Sequence, residues 1–193
     1  MLIYLIRHGQ TSWNAEGRLQ GQKDIPLNTT GRQQATGNGV ALKAILGDTA
    51  ERFDYVSSPL GRTRETMERM LAAMGRDQAA YRTDDRLVEV SFGDWEGHTL
   101  SELRQRIPER VKERSRSKWD FIPPGDNAES YEILSWRVGS WLREVNRPTV
   151  CVSHGGVFRA IFKLHGMDPA EAAGIPIHQD RILKLDEDGP RWL

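Results

Sequence analysis

The opening run of the chain constrains its fold most. Leu2-Ile3-Tyr4-Leu5-Ile6 is a continuous apolar stretch rich in β-forming residues, with no polar alternation. That is how a strand buried on both faces of a parallel sheet reads. Phe53 to Ser57 and Thr149 to Ser153 predict two further strands, and residues 181–185 a final one near a sheet edge. Helical stretches fall between them. One opens at Thr29-Thr30-Gly31 and runs to Leu46, closed by Gly47. A second has Pro59 in its first turn and runs to Met74, closed by Gly75. A third runs from Thr99 to Ile107 and is interrupted at Pro108. A fourth ends near Asn146, before Pro148; Asp126 is its expected cap, with Glu129 three residues on as in a capping box. A fifth follows His154-Gly155-Gly156 and runs to Leu164. Residues 85–98 read as a loop. Strands alternating with helices predict an α/β protein, a three-layer α/β/α sandwich around a mostly parallel central sheet.

With 193 residues, the expectation is one domain over 1–193, with about 99–127 as a lid-like helical insertion. The formal net charge is zero, so nothing global favours nucleic acid or an anionic membrane, and attraction for an anion must be local. No run approaches membrane-spanning length, and the opening run lacks the basic flank and length of a signal peptide. One cysteine, Cys151, sits inside a predicted strand; it allows no intrachain disulfide and is expected to serve packing. A cytoplasmic location fits these features. His98, His165 and His178 make no ligand-spaced pair and no acidic cluster suits magnesium, so neither a metal nor another cofactor is expected.

In open α/β sheets, ligands bind beyond the carboxyl ends of the strands. Three such ends carry chemistry here: Arg7-His8-Gly9-Gln10-Thr11, then Ser57-Ser58 with Arg62 one helical turn on, then Ser153-His154-Gly155-Gly156. If the strands are parallel, two histidines and two arginines converge on one sheet edge. A phosphoryl group spreads charge over three oxygens, and its transfer depends on positioning and charge stabilisation. Arginine's planar fork binds two oxygens at once and stays charged. A neutral imidazole nitrogen is a competent nucleophile near neutral pH.

Taken together, these blocks resemble the histidine phosphatase superfamily, the phosphoglycerate mutase-like proteins. The resemblance runs through Leu5-Ile6-Arg7-His8-Gly9-Gln10-Thr11-Ser12-Trp13-Asn14, Gly17-Arg18-Leu19-Gln20-Gly21, Ser57-Ser58-Pro59-Leu60-Gly61-Arg62-Thr63-Arg64-Glu65-Thr66, Leu87-Val88-Glu89 with Phe92-Gly93-Asp94-Trp95-Glu96-Gly97, and Val152-Ser153-His154-Gly155-Gly156. It implies a phosphoglycerate mutase-like fold in which His8 attacks phosphorus and becomes phosphohistidine. Arg7, Arg62 and His154 would bind the phosphoryl oxygens, Asn14 and the amides near Thr11 and Gly155 would add hydrogen bonds, and Gln20 and Gly21 would line the entrance. Glu89 resembles the family's proton donor, a group that must be protonated for the first step and ionised for the second.

The resemblance leaves hydrolysis and mutase transfer open, since they share the phosphohistidine. The family's mutases carry a longer segment between the positions of Glu89 and His154, typically an Asn where this chain has Gly156, and a tyrosine where it has Phe92. All three departures favour a phosphatase acting on a small phosphorylated metabolite. A catalytically silent binding module is the reading from another class; against it, Arg7, His8, Arg62, Glu89 and His154 are all present. Residues 104–118 are strongly basic, and read first as a solvated helix face with Glu109 and Glu113 as local partners; the functional alternative is a cover that attracts a polyanion. Trp95, Trp119, Phe121 and Trp136 read as core before pocket wall. The tail Gly189-Pro190-Arg191-Trp192-Leu193 leaves a homodimer open.

Overall fold

The apolar opening run becomes β1 (Ile3–Arg7) of a six-stranded sheet, in a computed structural model that describes the whole chain, Met1–Leu193. The other strands are β2 (Asp54–Ser57), β3 (Arg82–Thr83), β4 (Thr149–Ser153), β5 (Ile182–Asp186) and β6 (Gly189–Trp192). Across the sheet they stand in the order β3-β2-β4-β1-β5-β6. The first four strands are mutually parallel, while β5 runs antiparallel to β1 and β6 antiparallel to β5. The helices are α1 (Ser12–Glu16), α2 (Thr29–Leu46), α3 (Gly61–Met74), α4 (Leu100–Arg106), α5 (Pro108–Arg116), α6 (Tyr131–Glu144), α7 (Gly155–Leu164) and α8 (Pro169–Gly174).

Side chains on a strand alternate between its faces, and in β1 both faces are buried. Ile3 and Leu5 join the core that contains Leu134, Val138 and Trp141 of α6 and Phe158 and Ile161 of α7. Tyr4 and Ile6 join the core that contains Leu42 and Leu46 of α2 and Met67, Met70 and Leu71 of α3. The result is the three-layer α/β/α sandwich predicted from sequence. Burying each such side chain stabilises the fold by about 1.5–3 kcal/mol. A third, smaller core of Trp95, Leu103, Val111 and Phe121 holds α4 and α5 beside the sheet's carboxyl edge.

Several boundaries differ from the expectation. α6 begins at Tyr131, capped by Ser130, whose hydroxyl accepts from the Ile133 amide. Asp126 is no cap, because Asn127 adopts a left-handed φ of 58° that breaks any helix starting there, and Glu129 points instead to Arg137. Pro59 precedes α3 rather than opening it: Leu60 is extended, and the Gly61 amide donates to Asp24 at 2.8 Å. The strand at 181–185 is not the last one. β5 lies between β1 and β6, and the tail pairs back to form the edge strand. Of the four aromatic residues read as core, Trp95, Trp119 and Phe121 are buried, but Trp136 is 64% exposed.

The register places the site. Arg7 stands opposite Ser153, and Ser57 opposite Val152. His8, Ser58 and His154 therefore leave neighbouring parallel strands at one edge of the sheet, with the His8 amide donating to the Ser153 carbonyl at 2.9 Å.

Candidate active site

At that edge, His8 and His154 are buried with ring centroids 5.2 Å apart. The Nδ1 of His8 lies 2.8 Å from the Gly9 carbonyl oxygen. A carbonyl only accepts, so Nδ1 carries the proton and Nε2 keeps the free lone pair. The backbone at Gly9 is pressed against the start of α2, where a Cβ would come within 2.2 Å of the Gly31 carbonyl oxygen, so only glycine allows this approach. The Nε2 of His154 meets the Ser58 hydroxyl at 2.8 Å, while its Nδ1 is buried without a partner.

Two arginines flank the histidines. Arg7 donates through Nη1 to the Ile177 carbonyl. Arg62, 1% exposed, donates through Nη1 to the Lys23 carbonyl and through Nη2 to the Gly21 carbonyl. Backbone carbonyls thus hold both forks in place, while the Nε of each stays buried and unpaired. Gln20 behaves alike: its Oε1 accepts from the Thr11 hydroxyl at 2.5 Å, and its Nε2 has no partner. Buried polar groups without partners are rare and costly. Here they cluster around one free imidazole nitrogen, in a cleft of about 260 Å³ that His8, Arg7, Arg62, Asn14, Gln20 and Gly21 help to line. An oxyanion with three acceptor oxygens satisfies such a set.

The remaining expected residues are placed as follows. Asn14 lines the cleft; its Oδ1 accepts from the Thr11 amide and from Gln179. Thr11 does not line it, because its hydroxyl and amide serve the α1 cap and Gln20. Gly155 opens α7 at the cleft, and His154 caps that helix without a side-chain bond, which leaves first-turn amide capacity for an anion. Glu89 reaches the cleft from the loop after β3. Its carboxylate accepts from the Gly156 amide at 3.0 Å and the Val90 amide at 2.9 Å. A Cβ at residue 156 would fall 2.2 Å from the Glu89 Oε1, so the glycine at 156 and the placement of Glu89 depend on each other.

Sequence reasoning missed the residue that fixes this loop. Arg137 of α6 donates to the carbonyls of Arg86, Val88 and Glu89 and pairs with Glu129 at 2.8 Å, while Glu129 also accepts from the Ser91 amide. It also missed Arg159, which lines the cleft together with Arg114 and Lys118 of the basic stretch. The solvated-face reading of 104–118 holds for Arg104, Arg106, Arg110, Lys112 and Arg116, all exposed; Arg110 pairs with Glu113, but Glu109 pairs with nothing. It fails for Arg114, which is 8% exposed. One signal was available: Arg114 follows the buried Val111 by three residues, on the same helix face.

Burial, then the Arg62 charge, pushes both His8 and His154 well below the ordinary 6.5, so both are neutral at pH 7. Burial also brings Arg7 and Arg62 down to about 10, still charged at neutral pH. Stability follows from the sign. The unfolded chain binds protons at these histidines below about pH 6.5 while the fold resists them, so stability rises with pH across that window. Stability against thermal unfolding in phosphate-free buffer is expected to fall as pH goes from 7.5 to 5.5, by about 1 kcal/mol per histidine per pH unit below 6.5. An identical melting temperature at both pH values, in the protein and in His154→Gln alike, would show that the histidines are not held neutral.

The sequence profile of the histidine phosphatase superfamily (branch 1) matches residues 3–193. The chain belongs to that superfamily. Among its relatives, phosphoglycerate mutase-like protein 4 of Arabidopsis thaliana is 34% identical over 195 residues, covering 98% of this chain and 81% of that protein. The crystal structure of phosphoglycerate mutase from Thermus thermophilus superposes with a TM-score of 0.74 at 32% identity, over 100% of this chain and 96% of that one. A phosphoserine phosphatase variant from Entamoeba histolytica, solved with phosphoserine, gives 0.76 at 28% identity over 99% and 94%. Membership in the histidine phosphatase superfamily and the geometry around His8 agree on an enzyme of phosphoryl transfer.

Proposed function

We propose that this chain is a metal-independent phosphomonoester hydrolase that works through a phosphohistidine on His8 and acts on a small phosphorylated metabolite. The observation that carries this reading is the free Nε2 of His8 among the unpaired Arg7 Nε, Arg62 Nε and Gln20 Nε2. In the first step Nε2 attacks phosphorus, the P–O bond to the leaving group breaks, and that oxygen takes a proton from Glu89. In the second, the Glu89 carboxylate takes a proton from water, the water oxygen attacks phosphorus, and the N–P bond breaks to release phosphate and neutral His8. The fixed positive charge of Arg7 and Arg62 stabilises the equatorial oxygens, the task a metal ion performs in other phosphoryl-transfer sites. A cleft of about 260 Å³ is at the small end for ligand sites, which fits a compact metabolite.

Mutase transfer is the second reading, favoured by the names of two of the relatives. The glycine at 156, against the Glu89 carboxylate, supports hydrolysis. The deciding measurement is turnover of a panel of phosphate esters, including an aryl phosphate and a phosphoglycerate, with and without a strong chelator. Free phosphate and isomerised product are both followed. Chelator-resistant phosphate release is the expected result; isomerisation without net phosphate release would make the protein a mutase.

A further inference from the structure

A cleft that takes a phosphoryl group must meet its oxygens with donors, and a side-chain amide can present either a donor or an acceptor. Asn14 lines the cleft and carries both. Which end it presents is set from the segment between α8 and β5. Gln179 of that segment places its Nε2 3.1 Å from the His8 carbonyl oxygen and 3.2 Å from the Asn14 Oδ1. A carbonyl only accepts, so the end of Gln179 at His8 is its nitrogen, and the two hydrogens of that nitrogen serve the two oxygens. The Thr11 amide donates to the same Asn14 Oδ1 at 3.2 Å. With both donors on its oxygen, Asn14 is left to offer Nδ2 to the cleft.

Thr11 alone would hold this orientation by one hydrogen bond. With Gln179 in place, turning the Asn14 amide over loses two and sets N–H against N–H at both. Gln179 is itself anchored: its carbonyl accepts at 2.9 Å from the Nδ2 of Asn38, a residue of α2 that is 3% exposed. Two residues earlier, the Ile177 carbonyl holds Arg7 at 2.8 Å. One short segment therefore fixes a guanidinium and an amide that face the same anion. Gln179 is not among the residues that line the cleft, so it reaches the anion only through a neighbour. We propose that Gln179 is a positioning residue for phosphoryl transfer, which keeps Asn14 turned so that its Nδ2 donates to a phosphoryl oxygen. This rests on the reading of the cleft as a phosphoryl-transfer site centred on His8, and names the residue that makes Asn14 a donor there.

The test follows the Asn14 side-chain amide in proton–nitrogen correlation spectra as inorganic phosphate is added, with Asn14→Ala identifying the signal. In the unmodified protein, phosphate is expected to shift that signal, a readout that needs no variant of Gln179 to fold. In Gln179→Met the shift is expected to be lost, and kcat/KM for an aryl phosphate to fall by about tenfold, the worth of one hydrogen bond to a charged group. In an Asn14→Ala background the same substitution is expected to change kcat/KM by no more than about twofold, because the partner it acts through is gone. A purely structural role would cost the same in both backgrounds, and so would an effect through the His8 main chain; equal losses would overturn the proposal. So would an Asn14 signal that phosphate does not move, or moves alike in Gln179→Met, or a kcat/KM unchanged within about twofold in Gln179→Met. If no ester is turned over, the hydrolase reading fails by itself, and the spectra together with the affinity for inorganic phosphate in the same four proteins decide the role of Gln179.

Discussion

Replacing His8 by alanine is expected to reduce turnover of every phosphate ester by a factor on the order of 10⁴ or more, with the fold retained. No other group in the cleft combines a free nitrogen lone pair with the neutrality needed to use it. His154 is not among the residues that line the cleft: its Nε2 is engaged by Ser58 and its Nδ1 is buried. The fold should persist because the imidazole makes a single hydrogen bond, to the adjacent Gly9 carbonyl, a loss of about 1 kcal/mol. Two measurements check the assignment together. Quenching in alkaline detergent during turnover should trap alkali-stable, acid-labile phosphate on the unmodified protein and none on His8→Ala, and the variant's circular dichroism and melting should match a folded protein. Robust turnover in a folded His8→Ala protein would remove the nucleophile from His8.

Glu89→Gln has the second-largest expected effect, and its signature is selective. The glutamine Oε1 can still accept from the Gly156 and Val90 amides that hold Glu89, so position is kept while the transferable proton is lost. An alkoxide is a poor leaving group without that proton, whereas an activated aryl oxide leaves unaided. Therefore kcat/KM for alkyl phosphates should fall by about 10²–10⁴, and for an aryl phosphate by far less. Loss of the base for the second step should also slow hydrolysis of the phosphohistidine, giving a burst of aryl alcohol equal to the enzyme present. Matched losses in kcat/KM on both ester classes, with no burst, would show that Glu89 acts otherwise.

The sheet and the two histidines were legible because their signals are local. A strand buried on both faces needs an unbroken apolar run, and Leu2–Ile6 and Val150–Val152 each provide one, a single residue before a His-Gly step. Arg62 followed from its place one helical turn beyond a strand end, and resemblance to the superfamily added Glu89, whose spacing alone says little. What remained hidden depends on contacts distant in sequence. Asp24 sets the start of α3 from 37 residues away, which no helix rule anticipates. Gln179 reaches the His8 carbonyl across 171 residues. Arg114, Lys118 and Arg159 look like ordinary surface cations in one dimension, and only the fold shows that they share a cleft without acidic partners. β6 escaped notice because Gly189-Pro190-Arg191-Trp192 lacks strand periodicity; its pairing with β5 supplies the order that its composition does not.

The clasp of Arg137 and Glu129 on the donor loop has an evolutionary consequence. Ser91 and Glu129 are tied to each other twice, since the Glu129 amide donates to the Ser91 carbonyl at 3.0 Å and the Ser91 amide donates to the Glu129 carboxylate at 3.1 Å. The chain between them, including α4 and α5, is therefore an excursion that leaves and returns at one fixed point. Loop-closure entropy grows only as the logarithm of length, about 0.6 kcal/mol for each doubling. Such a segment can grow, shrink or exchange its side chains while Glu89 stays where Arg137 holds it. The wall of the cleft that Leu100 and Arg114 supply can therefore change while the loop that carries Glu89 keeps its place.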